Sequence, residues 1–249
     1  MVLLNGELAL APIQSPKRVL DVATGTGIWA LEFAQQHPES EVIGSDLTQI
    51  QPTSELPNLS FVQEDSEEQW IHDRPFDYIH FRYVYTCFDS PQTVIKLAWE
   101  NLAPGGFIEF QDATMELHSN KGPAHIENNP LKRLFDLAIQ GAAAQGRNIV
   151  VSRFYKQWLL EAGFVDVVEI KLAVPINEWH PSMRLKRVGQ YSSRMLIDNL
   201  GGVAWKMLSV YGLSDEEINE TVVQAKPELR NLDLEAFFPF WVVYGRKPE

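Results

Sequence analysis

The stretch Val19-Leu20-Asp21-Val22-Ala23-Thr24-Gly25-Thr26-Gly27 constrains this chain more than any other, because it runs from a buried strand through a glycine turn into a helix start with a carboxylate at the junction. Arg18 to Val22 is short, apolar and bounded by Pro16 and the Gly-Thr-Gly turn, the pattern of a first strand in a parallel sheet. Gly25 and Gly27 carry no Cβ and accept positive φ, so backbone there can approach a ligand closely. Ile28 to Gln36 follows at helical spacing, with Ile28, Leu31 and Ala34 expected on one side and its N-terminus facing the turn. Strand, glycine turn and helix in this order belong to α/β folds that hold a nucleotide-type cofactor at the carboxyl ends of their strands.

The glycines alone do not choose the cofactor, since Gly25-Thr26-Gly27-Ile28-Trp29-Ala30 also fits the dinucleotide pattern. The next strands discriminate. Glu41 to Asp46 reads as strand two and ends in a carboxylate about 20 residues beyond the glycines, where a ribose diol is held. Leu59 to Gln63 reads as strand three and runs into Glu64-Asp65-Ser66, placing Asp65 within reach of an adenine amino group. Asp21, Asp46 and Asp65 thus surround one turn with no basic phosphate ligand among them, which disfavours a pyrophosphate and favours cationic S-adenosylmethionine. Each aspartate taken singly is also a common turn former or helix cap. The expected cofactor residues are Asp21, Ala23, Gly25, Gly27, Asp46, Leu47, Asp65, Ser66 and Arg82.

Further residues carry a family resemblance: Arg18 to Ala30, Glu41 to Leu47 followed by Ile50-Gln51-Pro52, Pro57-Asn58-Leu59 with Asp65 and Trp70, Phe76 to Arg82, Pro104 to Glu109, and the terminal Tyr244-Gly245-Arg246-Lys247-Pro248. In these the chain resembles the fungal class I methyltransferases of UMTA or TAM-domain type, the LaeA-like family. The resemblance implies a Rossmann-like, seven-stranded α/β sheet with helices on both faces and helical insertions capping the substrate side. It also implies S-adenosylmethionine as cofactor and a small molecule of secondary metabolism as methyl acceptor. Two departures stand out. Ala23 occupies a position that is usually glycine in the family, and is tolerable there if it keeps negative φ. The family also carries an N-terminal region resembling a lid over the cofactor, and Met1 to Pro12 resembles only its tail.

With 249 residues, 45% of them hydrophobic, the chain can fill a single core, read as one domain over 1–249 with a cofactor half at 1–115 and capping helices and the last two strands at 116–249. A formal net charge of −12 repels phosphate backbones, so nucleic acid is not an expected partner. Arg184, Lys186, Arg187 and Arg194 read as a solvated helix face. There is no long apolar run or signal-peptide pattern, and the one cysteine, Cys87, makes no internal disulfide; cytoplasm or nucleus is expected, with no membrane association. A homodimer or a regulatory protein partner stays open.

Phe76 to Phe81 reads as strand four, Pro91 to Leu102 as a helix, Phe107 to Met115 as strand five entered through Pro104-Gly105-Gly106, and Pro130 to Ala144 and Ser152 to Ala162 as helices. Phe164 to Leu172 reads as strand six, Pro175 to Gln224 as an insertion with at least two helices, and Phe237 to Tyr244 as the last strand. Arg82 is a candidate for the cofactor carboxylate or for an ion pair with Asp89. Tyr83, Gln111, Asp112, Trp179 and Tyr191 are candidate substrate contacts, and His118, His125 and His180 candidate general bases. No metal-binding or G-x-S-x-G motif occurs. A cyclase or isomerase on the same fold, or a regulatory binding protein, is the alternative to methyl transfer.

Overall fold

The computed structural model describes residues 2–249, so Met1, first residue of the lid-tail segment, lies outside them. In chain order the elements are β1 (Arg18–Val22), α1 (Ile28–Gln36), β2 (Glu41–Asp46), β3 (Leu59–Gln63), β4 (Phe76–Arg82), α2 (Pro91–Asn101), β5 (Leu102–Ala113), β6 (His118–Ser119), α3 (Pro130–Ala144), α4 (Tyr155–Glu161), β7 (Val165–Pro175), α5 (Met183–Tyr211), α6 (Asp215–Ala225) and β8 (Ala236–Arg246). The strands form one sheet in the order β3-β2-β1-β4-β5-β8-β6, with β7 paired to β8. All seven expected strands are present. The eighth, β6, is a two-residue antiparallel pairing of His118 with Phe237 and Ser119 with Ala236.

β1 pairs in parallel with both β2 and β4, so the winding direction of the sheet reverses beside it. That position explains its composition: a central parallel strand is covered on both faces, and all five of its residues are buried, Asp21 included.

Two expectations need correcting. α1 buries Trp29, Ala30, Phe33 and Ala34, while Ile28 is 62% exposed. The aromatic rings set this face, with Trp29 stacked on Phe33 at 4.8 Å. β5 starts at Leu102, upstream of Pro104-Gly105-Gly106 rather than after it. The register jumps from Phe76↔Leu102 to Tyr78↔Phe107, so the proline-glycine segment bulges within the strand. Gly105 N–H donates to the Lys247 carbonyl and Lys247 N–H to that of Gly106, which keeps the bulge hydrogen-bonded.

The chain divides into two compact units. One comprises Glu7–Asp112, Ser152–Ile170 and Trp241–Glu249 and holds β1 to β4 with α1, α2 and α4. The other comprises the residues up to Gly6, Ala113–Val151 and Lys171–Phe240 and is mainly helical. Its core is mainly aliphatic, built on Leu134, Ala138, Leu200, Ala204 and Leu208, with Phe135 and Phe238 edge-on to each other within it. Gly141 permits close packing of α3 on α5, since a Cβ there would lie 2.2 Å from the Met207 carbonyl oxygen. Ser214 and Glu217 close a capping box at the start of α6. Among the described residues no helix is long and apolar enough to cross a membrane.

Candidate functional site

β1 delivers Asp21 to the turn with only 2% of its surface exposed. Its Oδ1 lies 2.8 Å from Nδ1 of His80, its register neighbour on β4, and its Oδ2 accepts the Thr24 hydroxyl at 2.5 Å. The turn is also tied to β2: Thr24 N–H donates to the Ser45 carbonyl at 2.9 Å, and Gly25 N–H to Asp46 Oδ2 at 2.8 Å. Gln51 Nε2 closes the loop by donating to the Gly25 carbonyl at 2.7 Å. A Cβ at Gly25 would meet no atom within 4 Å, so open space adjoins its backbone, whereas one at Gly27 would strike the Phe61 ring at 2.5 Å.

Ala23 departs from expectation: its φ is +53°, in the left-handed region with Gly25 and Gly27. The turn bends at the position that is usually glycine in the resembled family, and the methyl group is carried through that bend instead of avoiding it. His80 was not singled out by the sequence, where it read only as a strand residue. It is fully buried, its ring stacked on Trp29 at 3.7 Å and 8°, and Nε2 has no hydrogen-bond partner. A histidine inside an otherwise apolar strand was the signal available.

Beyond the turn, Asp46 Oδ1 accepts both the N–H and the hydroxyl of Thr48 at 3.0 Å, and Leu47 and Ile50 next to it are 58% and 63% exposed. Asp65 is exposed and its Oδ1 accepts Glu67 N–H at 2.9 Å; Ser66 is buried and its carbonyl accepts the Trp70 indole N–H at 3.0 Å. Arg82 lies opposite Gln111 in the β4–β5 register, its guanidinium 5.8 Å from the Tyr83 ring centroid. Tyr83 has φ +55° and is 49% exposed. Gln111 is turned inward, donating to the Leu8 carbonyl and to Glu109. Asp112, fully buried, accepts the Tyr155 hydroxyl at 2.7 Å and Val84 N–H at 3.2 Å through Oδ2. Burial, then the charge of Asp112, pushes the Tyr85 phenol up to about 12.

The remaining candidates occupy separate places in the helical unit. His118 on β6 stacks against Phe237 at 5.7 Å and lines a cavity of about 410 Å³ with Glu116, Lys132 and Asp136. His125 Nε2 is 3.0 Å from the Asp233 carbonyl oxygen, and His180 Nδ1 accepts Ser182 N–H at 3.0 Å. Trp179 donates its indole N–H to the Ala236 carbonyl at 2.7 Å, and Tyr191 is 59% exposed. The structure therefore brings Asp21, Ala23, Gly25, Gly27 and Asp46 together on one turn, and gives each histidine its own local partner.

A methyltransferase-domain family model matches residues 4–169. The chain is 32% identical over 250 residues to the probable methyltransferase tdiE of Emericella nidulans, covering 98% of this chain and 77% of that protein. It is 31% identical over 252 residues to methyltransferase pytC of Aspergillus terreus, covering 99% and 76%. Among solved structures, a phosphoethanolamine N-methyltransferase of Haemonchus contortus, in complex with phosphomonomethylethanolamine and S-adenosylhomocysteine, shares the fold with a TM-score of 0.56 at 14% identity, covering 96% of this chain and 50% of that one. With the family model spanning most of the chain, and the chain aligned over nearly all of its own length and about three quarters of that of its fungal relatives, the chain belongs to the S-adenosylmethionine-dependent methyltransferase family.

Proposed function

We propose that this chain methylates a small molecule of secondary metabolism, with S-adenosylmethionine bound at the turn between β1 and α1. The observation that supports this best is the turn itself, open beside Gly25 and bordered by carboxylates. The residues suit the cofactor. Asp46 uses one lone pair on Oδ2 for Gly25 and Oδ1 for both Thr48 donors, which leaves one acceptor site on Oδ2 for a ribose hydroxyl. Leu47 and Ile50 offer exposed apolar surface to a flat base. Asp65 and Ser66 follow β3 on the adenine side, and Arg82 is assigned to the cofactor carboxylate. Asp21, engaged on both oxygens, shapes the turn and adds negative potential under it. Bound S-adenosylmethionine supplies an electrophilic methyl group on a sulfonium.

Tyr83, Gln111 and Asp112, at the ends of β4 and β5 in the sheet unit, are assigned to the acceptor side. Of His118, His125 and His180, which occupy separate places, one is proposed as the proton acceptor for a substrate that must be deprotonated. The net charge of −12 favours a small acceptor over nucleic acid. Titration calorimetry with S-adenosylmethionine and S-adenosylhomocysteine tests the reading: saturable binding is expected, at least tenfold weaker in Asp46→Ala, and an absence of heat at millimolar ligand overturns it.

A further inference from the structure

The segment before β1 lies across buried polar groups of the sheet unit. Glu109, on β5 and fully buried, accepts Leu10 N–H at 3.0 and 2.9 Å on its two oxygens and Ala11 N–H at 2.7 Å. Tyr78 O–H at 3.1 Å and Gln111 Nε2 at 2.7 Å complete its shell. Four donor groups converge on one carboxyl and use both of its oxygens as acceptors. Burial, reinforced by the charge of Glu109, pushes the Tyr78 phenol well above its usual range, so that it remains a donor.

The same segment reaches the cofactor turn by a second set of contacts. The Leu8 carbonyl accepts Gln111 Nε2 at 2.8 Å and the indole N–H of Trp29 at 3.0 Å. Trp29 is stacked on His80, and His80 Nδ1 holds Asp21. Because Nε2 of His80 has no hydrogen-bond partner, the ring is oriented by the Trp29 face and the Asp21 bond. Displacing Leu8 releases the indole, and with it the face against which His80 is fixed. We infer that Glu109 is a positioning residue for the cofactor turn, acting through the docked Leu8–Ala11 segment, Trp29 and His80 on Asp21, so that segment docking and cofactor binding favour one another. The inference rests on the cofactor reading above.

Coupling of two equilibria is reciprocal, so it can be read from either end. In the wild-type protein, saturating S-adenosylhomocysteine is expected to slow hydrogen exchange of the Leu10 and Ala11 amides at least tenfold. Glu109→Gln puts an amide nitrogen where an acceptor is required, and is expected to abolish that slowing and weaken S-adenosylhomocysteine about tenfold. Trp29→Phe keeps a ring on His80 but removes the indole N–H, and is expected to reduce the slowing while the folded state persists; it decides the matter if Glu109→Gln does not fold. A merely structural Glu109 lowers the melting temperature and leaves the ligand-dependent exchange difference intact. Wild-type binding with unchanged Leu10 and Ala11 exchange overturns the coupling alone. No wild-type binding overturns the cofactor reading and the coupling with it.

Discussion

The unit around β1 and the helical unit built on α3 and α5 place their polar groups in opposite ways. Around β1 the interior holds Asp21, His80, Glu109 and Gln111, all hydrogen-bonded to other parts of the unit. In the helical unit the core is predominantly leucine, isoleucine and alanine, and charge pairs such as Lys132–Asp136 and Lys121–Asp233 lie toward solvent. A buried polar network fixes one arrangement of groups because every alternative strands a donor or acceptor. An aliphatic core fixes volume and tolerates changes of detail. Substitutions in the first unit are therefore expected to alter ligand binding strongly for a given loss of stability, and substitutions in the second to alter stability alone.

The most severe test falls in the helical unit. Gly141→Ala forces a methyl group into the Met207 carbonyl, so α3 and α5 must separate; a loss of about 3 kcal/mol is expected from urea midpoints. Cofactor affinity of the remaining folded protein should not change, and a tenfold loss there would break the contrast. Tyr155→Phe, in the sheet unit, removes the hydroxyl from buried Asp112 and should cost about 2 kcal/mol.

That substitution also has a pH signature. Burial, then the charge of Asp112, raises the folded Tyr155 phenol well above its ordinary value of 10.0, while the unfolded chain ionises there. Its stabilising contribution is complete below that value and is lost as pH rises beyond it. Denaturation midpoints of Tyr155→Phe should accordingly fall less steeply above pH 10 than those of the wild type.

Gly25→Ala separates binding from folding more cleanly. Left-handed backbone at φ +59° costs an alanine about 1 kcal/mol of stability, yet its methyl group enters the open space beside the turn. Calorimetry should show an affinity loss of tenfold or more. Ser214→Ala is the counterpart: removal of the α6 capping box should lower stability by about 1 kcal/mol with no change in ligand binding.

The sequence exposed the elements built from local pattern. β1, α1, β2 and β3 lie at the expected residues, because prolines, the glycine turn and strand-end carboxylates punctuate the chain between them. What it concealed depends on distant partners. Glu109 sits in an apolar strand and looks unexceptional until Leu10 and Ala11, 99 and 98 residues away in sequence, arrive as donors. His80 is intelligible only once β1 lies alongside β4. The exposed side of α1 was misjudged because apolar spacing does not reveal that Trp29 stacks over Phe33. Asp65 shows the converse: its exposed position and bond to Glu67 are also those of an ordinary turn former, which local pattern cannot distinguish from a ligand.

Ala23 has a practical corollary. At φ +53° it keeps a small conformational spring compressed in the loop that the cofactor would touch. Glycine there relaxes the spring but gains freedom in the denatured chain, so the two tendencies largely offset each other in overall stability. The difference should emerge in the suppleness of the loop, which makes this single methyl group a handle for adjusting how quickly ligand enters and leaves.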